Sequence, residues 1–181
     1  MPENTVPTIG LEFFCKVVTL KDGSKLKVQV FDTAGQEKYR SVISHYIRKS
    51  LGVLLVYDIT KKASFEACQE FYQQIQQLAE PDCVILLVGN KTDLESQREV
   101  PEKDGKKYAM DNKMYFIETS VVTKSQVNEA FEQLFECIYF IYYIIVVGAE
   151  SKKTVNYQSN QDYTNISPKK FILKEEKSQC C

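Results

Sequence analysis

Two continuous apolar runs constrain the fold of this chain more than any other feature. Val53, Leu54, Leu55 and Val56 form one, and Val84, Ile85, Leu86, Leu87 and Val88 form the other. A strand with water on one face alternates apolar and polar side chains. A run that is apolar at every position has to be covered on both faces, as in a parallel sheet flanked by helices. Strands are therefore expected over residues 51–58 and 83–89, with a shorter one over 114–118. Between them Phe65, Cys68, Tyr72, Ile75 and Leu78 recur at helical spacing, giving an amphipathic helix. Pro101 followed by Glu102 and Asp104 opens a second helix reaching about residue 112. Thr123 with Gln126 reads as a capping box before a third, in which Val127, Ala130, Phe131, Leu134 and Ile138 share a face. Strands alternating with helices define an α/β domain with a mostly parallel sheet and helices on both of its faces.

The amino-terminal part follows a different pattern. Leu26, Val28 and Val30 alternate with Lys27 and Gln29, the signature of a strand buried on one face. It is separated from a partner strand over residues 12–20 by Lys21, Asp22, Gly23 and Ser24, and the Asp-Gly pair marks a hairpin turn. With 181 residues, 44% of them hydrophobic, the chain suits a single domain. From about residue 150 it turns polar and rich in Lys, Ser, Asn and Gln, so residues 1–149 read as the domain and 150–181 as a disordered tail. A net charge of −1 without a basic stripe argues against nucleic acid as a partner. Cys15, Cys68, Cys83 and Cys137 stand singly, which argues against a cysteine metal site and suits a reducing compartment. The start has neither a signal-peptide pattern nor a myristoylation glycine, and the single His45 lacks a nucleophile or ligand partner by spacing. Asn165, Ile166 and Ser167 match a glycosylation acceptor, but Pro168 follows and the match reads as chance. The stretch 137–147 is apolar all round and shorter than the ~20 residues of a membrane span; it reads as a core helix end or an aromatic contact patch.

Two short motifs carry chemistry. Asp32, Thr33, Ala34, Gly35, Gln36 and Glu37 follow the hairpin's second strand. A carboxylate at a strand end can hold a hard cation, a glycine lets backbone approach an anion, and a neutral glutamine can orient a water. Asn90, Lys91, Thr92 and Asp93 follow the second apolar run, just past a strand's carboxyl end, where open α/β sheets bind ligands. A carboxylate there can accept two hydrogen bonds from the imino and amino groups of guanine, whereas adenine offers the wrong pattern. Asn90 can tie loops together or contact the base, and the stem of Lys91 can cover the base face.

The first of these motifs resembles the switch II segment of Ras-like small GTPases, and the set resembles the Rab family most closely. Pro7, Thr8, Ile9 and Gly10 followed by Phe13 look like the Rab switch I, and Lys38, Tyr39, Arg40 and Ser41 like the continuation of switch II. Leu54 to Thr60 with Ser64 and Phe65 is also Rab-like, and Glu118, Thr119 and Ser120 match the third base-contacting loop. The resemblance covers residues 5–134 and the last two residues. It implies a three-layer Ras-like fold of the P-loop NTPase class. It further implies GTP or GDP held through Thr8, Gly35, Asn90, Lys91, Asp93, Ser120 and Val121, Mg2+ held by Thr8 and Asp32, and Gln36 as the catalytic, water-positioning residue. Phe31 stands where the family has tryptophan, Ile47 where it has tyrosine, and Val121 with Val122 replace Ala-Lys. Ile9, Gly10, Phe13, Phe31, Tyr39 and Tyr46 are the expected switch and effector contacts.

The sequence contains no G-x-x-x-x-G-K-S/T loop, which in such proteins cradles the phosphates. In the family that loop lies upstream of switch I with the first strand and first helix, so an N-terminally truncated form is expected. The missing strand would be central, between those ending at Phe31 and Asp58. Its loss would leave backbone groups unpaired at about 1–3 kcal/mol each, against a total stability of about 5–15 kcal/mol. Cys180 and Cys181 resemble a doubly geranylgeranylated Rab terminus, and two lipid chains suffice for stable anchoring. The resemblance implies a GTP-binding and hydrolysing switch of vesicle trafficking, lipid-anchored on the cytoplasmic face of endomembranes with a cytosolic pool. Its partners would be effectors, exchange factors, GTPase-activating proteins, Rab escort protein, geranylgeranyl transferase and GDP-dissociation inhibitor. The alternative is a prenylated interaction module that binds no nucleotide. A metal-dependent hydrolase using Asp32 and Asp58 lacks further ligands.

Overall fold

The computed structural model of the protein describes residues 11–33 and 40–150. Its elements are β1 (Leu11–Thr19), β2 (Lys25–Thr33), α1 (Arg40–Ile47), β3 (Gly52–Asp58), α2 (Lys62–Leu78), β4 (Val84–Asn90), α3 (Glu102–Asp111), β5 (Tyr115–Thr119) and α4 (Val127–Glu150). A 3-10 helix, Thr92–Gln97, links β4 to α3. The tail expected over residues 150–181 lies outside the described residues from residue 151 on, and Cys180 and Cys181 with it.

Both apolar runs became parallel strands. β4 is central, with β3 on one side and β5 on the other. Its side chains alternate between two cores. Leu87 and half-buried Ile85 meet α2 and α3, while Val84, Leu86 and Val88 meet Ala130 and Leu134 of α4. The three layers expected from the sequence are thus α2 and α3, the sheet, and α4. β3 departs from the expectation of full cover, because Val56 is 51% exposed. It occupies a sheet edge, and α4 covers only the beginning of the strand, where Leu134 and Ile138 crowd Gly52.

β1 and β2 pair antiparallel, Phe13 opposite Phe31 and Glu12 opposite Asp32. The Asp-Gly turn forms as expected: Gly23 sits at φ +86°, a region that favours glycine, and its N–H donates to the Leu20 carbonyl. Asp22 accepts from the Ser24 N–H and hydroxyl at 2.8 and 2.9 Å, which holds its carboxyl below the usual range. Among the described residues this hairpin forms a separate two-stranded sheet, so the β-structure is split between β2 and β3. The hairpin leans on α4 instead: Lys21 N–H donates to Glu136 Oε1 at 2.8 Å, and the Ser24 and Tyr139 hydroxyls meet at 2.9 Å. Between hairpin and helix lies a cavity of about 690 Å³, with Phe14, Val18, Val28, Val30, Phe131 and Phe135 in its walls.

One local expectation is corrected. The capping box does not form around Thr123: α4 begins at Val127, and Gln126 before it has φ +55°. A bridge between Ser120 and Ser125 takes up the intervening residues. Helix α1 had no sequence signal strong enough to be read. Its Ile47, standing where the family has tyrosine, is buried in the α2–α3 core. Cys15 is exposed, whereas Cys68 is buried. In the apolar stretch 137–147, Cys137, Ile138 and Ile141 pack on the sheet while Phe140 and Tyr143 remain about half exposed. No helix among the described residues is long and apolar enough to cross a membrane.

α3 approaches the sheet closely at Gly105, where a Cβ would come within 2.5 Å of the Tyr57 hydroxyl and 2.7 Å of the Phe116 ring. Tyr57 is 1% exposed, and its hydroxyl has no hydrogen-bond partner among the described residues. Burial pushes the phenol well above its ordinary pKa. An unsatisfied buried hydroxyl costs about 1–3 kcal/mol, whereas the same shape without it costs nothing of that kind. Tyr57→Phe is therefore expected to raise stability by about 1 kcal/mol, read as a higher urea midpoint; a lowered midpoint would mean that the hydroxyl is paired in solution.

Candidate functional site

The carboxyl ends of the three parallel strands lie level: Asp58 is in register with Asn90, and Asn90 with Thr119. Each strand delivers one loop there, so residues remote in sequence converge. Thr119 donates from its hydroxyl to Asn90 Oδ1 at 3.3 Å, which makes Asn90 the tie between the β4 and β5 loops. Lys91 adopts a left-handed conformation, φ 74°, and its ammonium meets Asp58 Oδ2 at 2.7 Å. The side chain stays 45% exposed, so its stem runs along the surface beside the loop.

Asp93 and Ser120 are the central pair. Ser120 is fully buried, donates its hydroxyl to Asp93 Oδ1 and accepts from the Thr123 N–H at 3.2 Å. Its own N–H is used by the Ser125 carbonyl at 3.0 Å. Asp93 is exposed, and among the described residues its Oδ2 has no partner. One oxygen is thus fixed by the protein while the other is presented to solvent as an acceptor. Val121 follows Ser120 at the surface, 45% exposed.

Asp58 is occupied by the protein itself. Burial alone would raise its carboxyl pKa, but the hydrogen bonds from Lys91 and Thr60 and the Lys91 charge outweigh that and hold it below the ordinary range. A carboxyl depressed in the folded state stabilises above the unfolded pKa of about 3.9, and the contribution is lost as pH falls through the folded value. Asp58→Asn is expected to flatten the loss of stability below pH 4 and to leave its slope near neutrality unchanged, as read by urea midpoints from pH 3 to 7. Lys91 and Thr60 thus engage both oxygens of the Asp58 carboxylate.

On the hairpin side Asp32 is exposed at the end of β2. Thr8, Gly35 and Gln36 lie outside the described residues, as do Ile9, Gly10 and Tyr39. Phe13, Phe31 and Tyr46 come together from β1, β2 and α1. Ring centroids are 6.0 Å apart for Phe13–Phe31 and 4.7 Å for Phe31–Tyr46. Phe13 is 61% exposed, so the three rings form a surface patch rather than a core. His45 is exposed and sets its ring edge-on to Tyr46.

Sequence reasoning missed the Asp58–Lys91 pair and the Arg98 network with Glu95 and Glu118. Arg98–Glu95 is a local i,i+3 pair, but the Asp58–Lys91 and Arg98–Glu118 contacts join segments remote in sequence, for which spacing along the chain carries no signal.

The sequence model of the Ras family matches residues 1–140. The chain is 42% identical over 139 residues to Ras-related protein Rab-11C of Dictyostelium discoideum, covering 77% of this chain and 62% of that protein. It is 36% identical over 180 residues to Ras-related protein Rab11D of Nicotiana tabacum, covering 96% and 78% respectively. With GTP-binding protein ypt3 of Schizosaccharomyces pombe the identity is 39% over 176 residues, covering 96% and 81%. The chain belongs to the Ras family and, within it, to the Rab proteins, the small GTPases of vesicle trafficking.

Proposed function

We propose that this chain recognises guanine nucleotides through the loops after β4 and β5 and presents an aromatic surface to trafficking partners. The observation that carries the reading is Asp93 at the carboxyl ends of parallel strands, one oxygen fixed by buried Ser120 and the other open. That acceptor fits guanine, whose imino and amino hydrogens both seek one, and it penalises adenine. Asn90 holds the two loops together, Lys91 lies alongside, and the exposed Val121 follows Ser120. The ypt3 relative of Schizosaccharomyces pombe is a GTP-binding protein by name, which agrees with this reading.

The phosphate end rests on fewer residues. Asp32, an exposed carboxylate at a strand end, has the chemistry to bind Mg2+ through oxygen, with Thr8 as the second ligand. Mg2+, when bound, neutralises phosphate charge. Gly35 would donate a backbone N–H to phosphate, and Gln36 would position a water for hydrolysis. Phe13, Phe31 and Tyr46 form the partner face, suited to effectors, exchange factors and GTPase-activating proteins. Cys180 and Cys181 would carry the lipids that hold the chain on a cytoplasmic membrane face, with escort protein, geranylgeranyl transferase and GDP-dissociation inhibitor handling that tail.

The test is a titration of the full chain with fluorescent GTP, GDP and ATP analogues in magnesium buffer. Recognition through the base predicts saturable binding with a Kd of about millimolar or tighter and guanine preferred over adenine roughly tenfold or more. Equal binding of GTP and ATP, or none up to millimolar nucleotide, would overturn the proposal.

A further inference from the structure

We propose that Arg98 is the positioning residue of the base site, locking the loop that carries Asp93 against the loop that carries Ser120. The inference rests on the guanine reading above. Arg98 uses all five of its N–H donors on three elements. Nε and Nη2 fork Glu95 at 2.8 and 2.7 Å, Nη1 and Nη2 fork Glu118 at 2.7 and 2.8 Å, and Nη1 also reaches the Val100 carbonyl at 3.0 Å. Glu95 is two residues past Asp93, on the same 3-10 helix; Glu118 is two residues before Ser120, on β5. One planar group therefore fixes the distance between the two base-facing segments from behind.

The clamp extends to the third loop. Immediately after Arg98, the Glu99 and Val100 N–H groups both donate to the Ile59 carbonyl, at 2.9 and 3.0 Å, and Glu99 accepts from the Lys62 N–H at 2.8 Å. Residues 98–100 thus bind the loops after β3, β4 and β5 into one unit. A half-buried ion network is a weak source of net stability, because desolvation offsets much of the attraction. A fork with every donor satisfied does fix geometry, and lysine cannot reproduce it. Arg98 and Glu118 are only 15% and 12% exposed, so the network lies beneath the site and not on it.

The test uses the full chain with Arg98→Lys and Arg98→Met. Amide hydrogen exchange is followed at Leu94, Ser120 and Thr123, whose N–H groups bond within these loops, and at β4 as an internal reference. The expected result is exchange roughly tenfold faster or more at the three loop amides with β4 unchanged, and a guanine-over-adenine preference reduced by about 3–30-fold. Arg98→Lys is the variant that keeps charge and fold if Arg98→Met fails to fold. Unchanged loop exchange in Arg98→Lys would overturn the proposal. So would loop and β4 exchange accelerating together, with nucleotide preference intact, which would make Arg98 merely structural. If the unmodified chain shows no nucleotide preference, the guanine reading fails by itself, and the exchange data still decide whether Arg98 aligns the loops.

Discussion

Asp93→Asn is expected to lower affinity for guanine nucleotides about 100-fold while leaving the fold intact. The substitution keeps the size of the side chain and keeps a carbonyl oxygen for the Ser120 hydroxyl, so the buried serine remains satisfied. What changes is the outward atom, from an acceptor to an N–H donor. It would then face the imino and amino donors of guanine, replacing attraction by repulsion. Hydrogen bonds to a charged acceptor contribute about 1.5–3 kcal/mol each, so losing the pair costs about 3 kcal/mol or more. Adenine nucleotides, which do not use that pattern, should change little. Competition titrations with GTP and ATP analogues, alongside a urea midpoint, separate the two effects. Parallel loss for both bases would place the base elsewhere, and a collapsed midpoint would mean that Asp93 serves the fold first.

Leu87→Ala is expected to cost about 3–4 kcal/mol, the largest stability loss among single apolar truncations considered. Leu87 is fully buried at the middle of β4, on the face covered by α2 and α3. Its surroundings include Tyr57, Phe65 and Ala109, held by the ring contact of Tyr57 with Phe65 and by the tight approach of α3 at Gly105. A site so fenced collapses poorly, and buried Leu→Ala changes of this kind cost about 2–5 kcal/mol. A single domain holds about 5–15 kcal/mol in total, and here the sheet is divided, so the variant should be largely unfolded in mild denaturant. Val56→Ala supplies the contrast: Val56 lies 51% exposed at the sheet edge, and its truncation should cost well under 1 kcal/mol. The chain has no tryptophan, so unfolding is best followed by far-UV circular dichroism or tyrosine fluorescence. Equal losses at the two positions would contradict the packing described.

The sequence by itself determined the parts whose cause is local. The continuous apolar runs made β3 and β4 strands of a parallel sheet, and at β4 the run lies between two layers, as an all-apolar strand requires. Asp22 and Gly23 determined the hairpin, since Gly23 reaches φ +86° and the aspartate side chain caps the turn. Asn90 to Asp93 pointed to the proposed base site through their residue types and their place after a strand. Tertiary structure decided what depends on distance. Only the packed sheet brings Asp58, Asn90 and Thr119 level and lays the Lys91 ammonium on Asp58. Only the fold shows that Arg98 joins Glu95 to Glu118 across twenty-three residues of chain, or that Phe13, Phe31 and Tyr46 meet. The split between β2 and β3 has the same origin as the exposure of Val56. Strand pairing is a contact between segments, and a pattern within one segment cannot say whether its edge finds a partner.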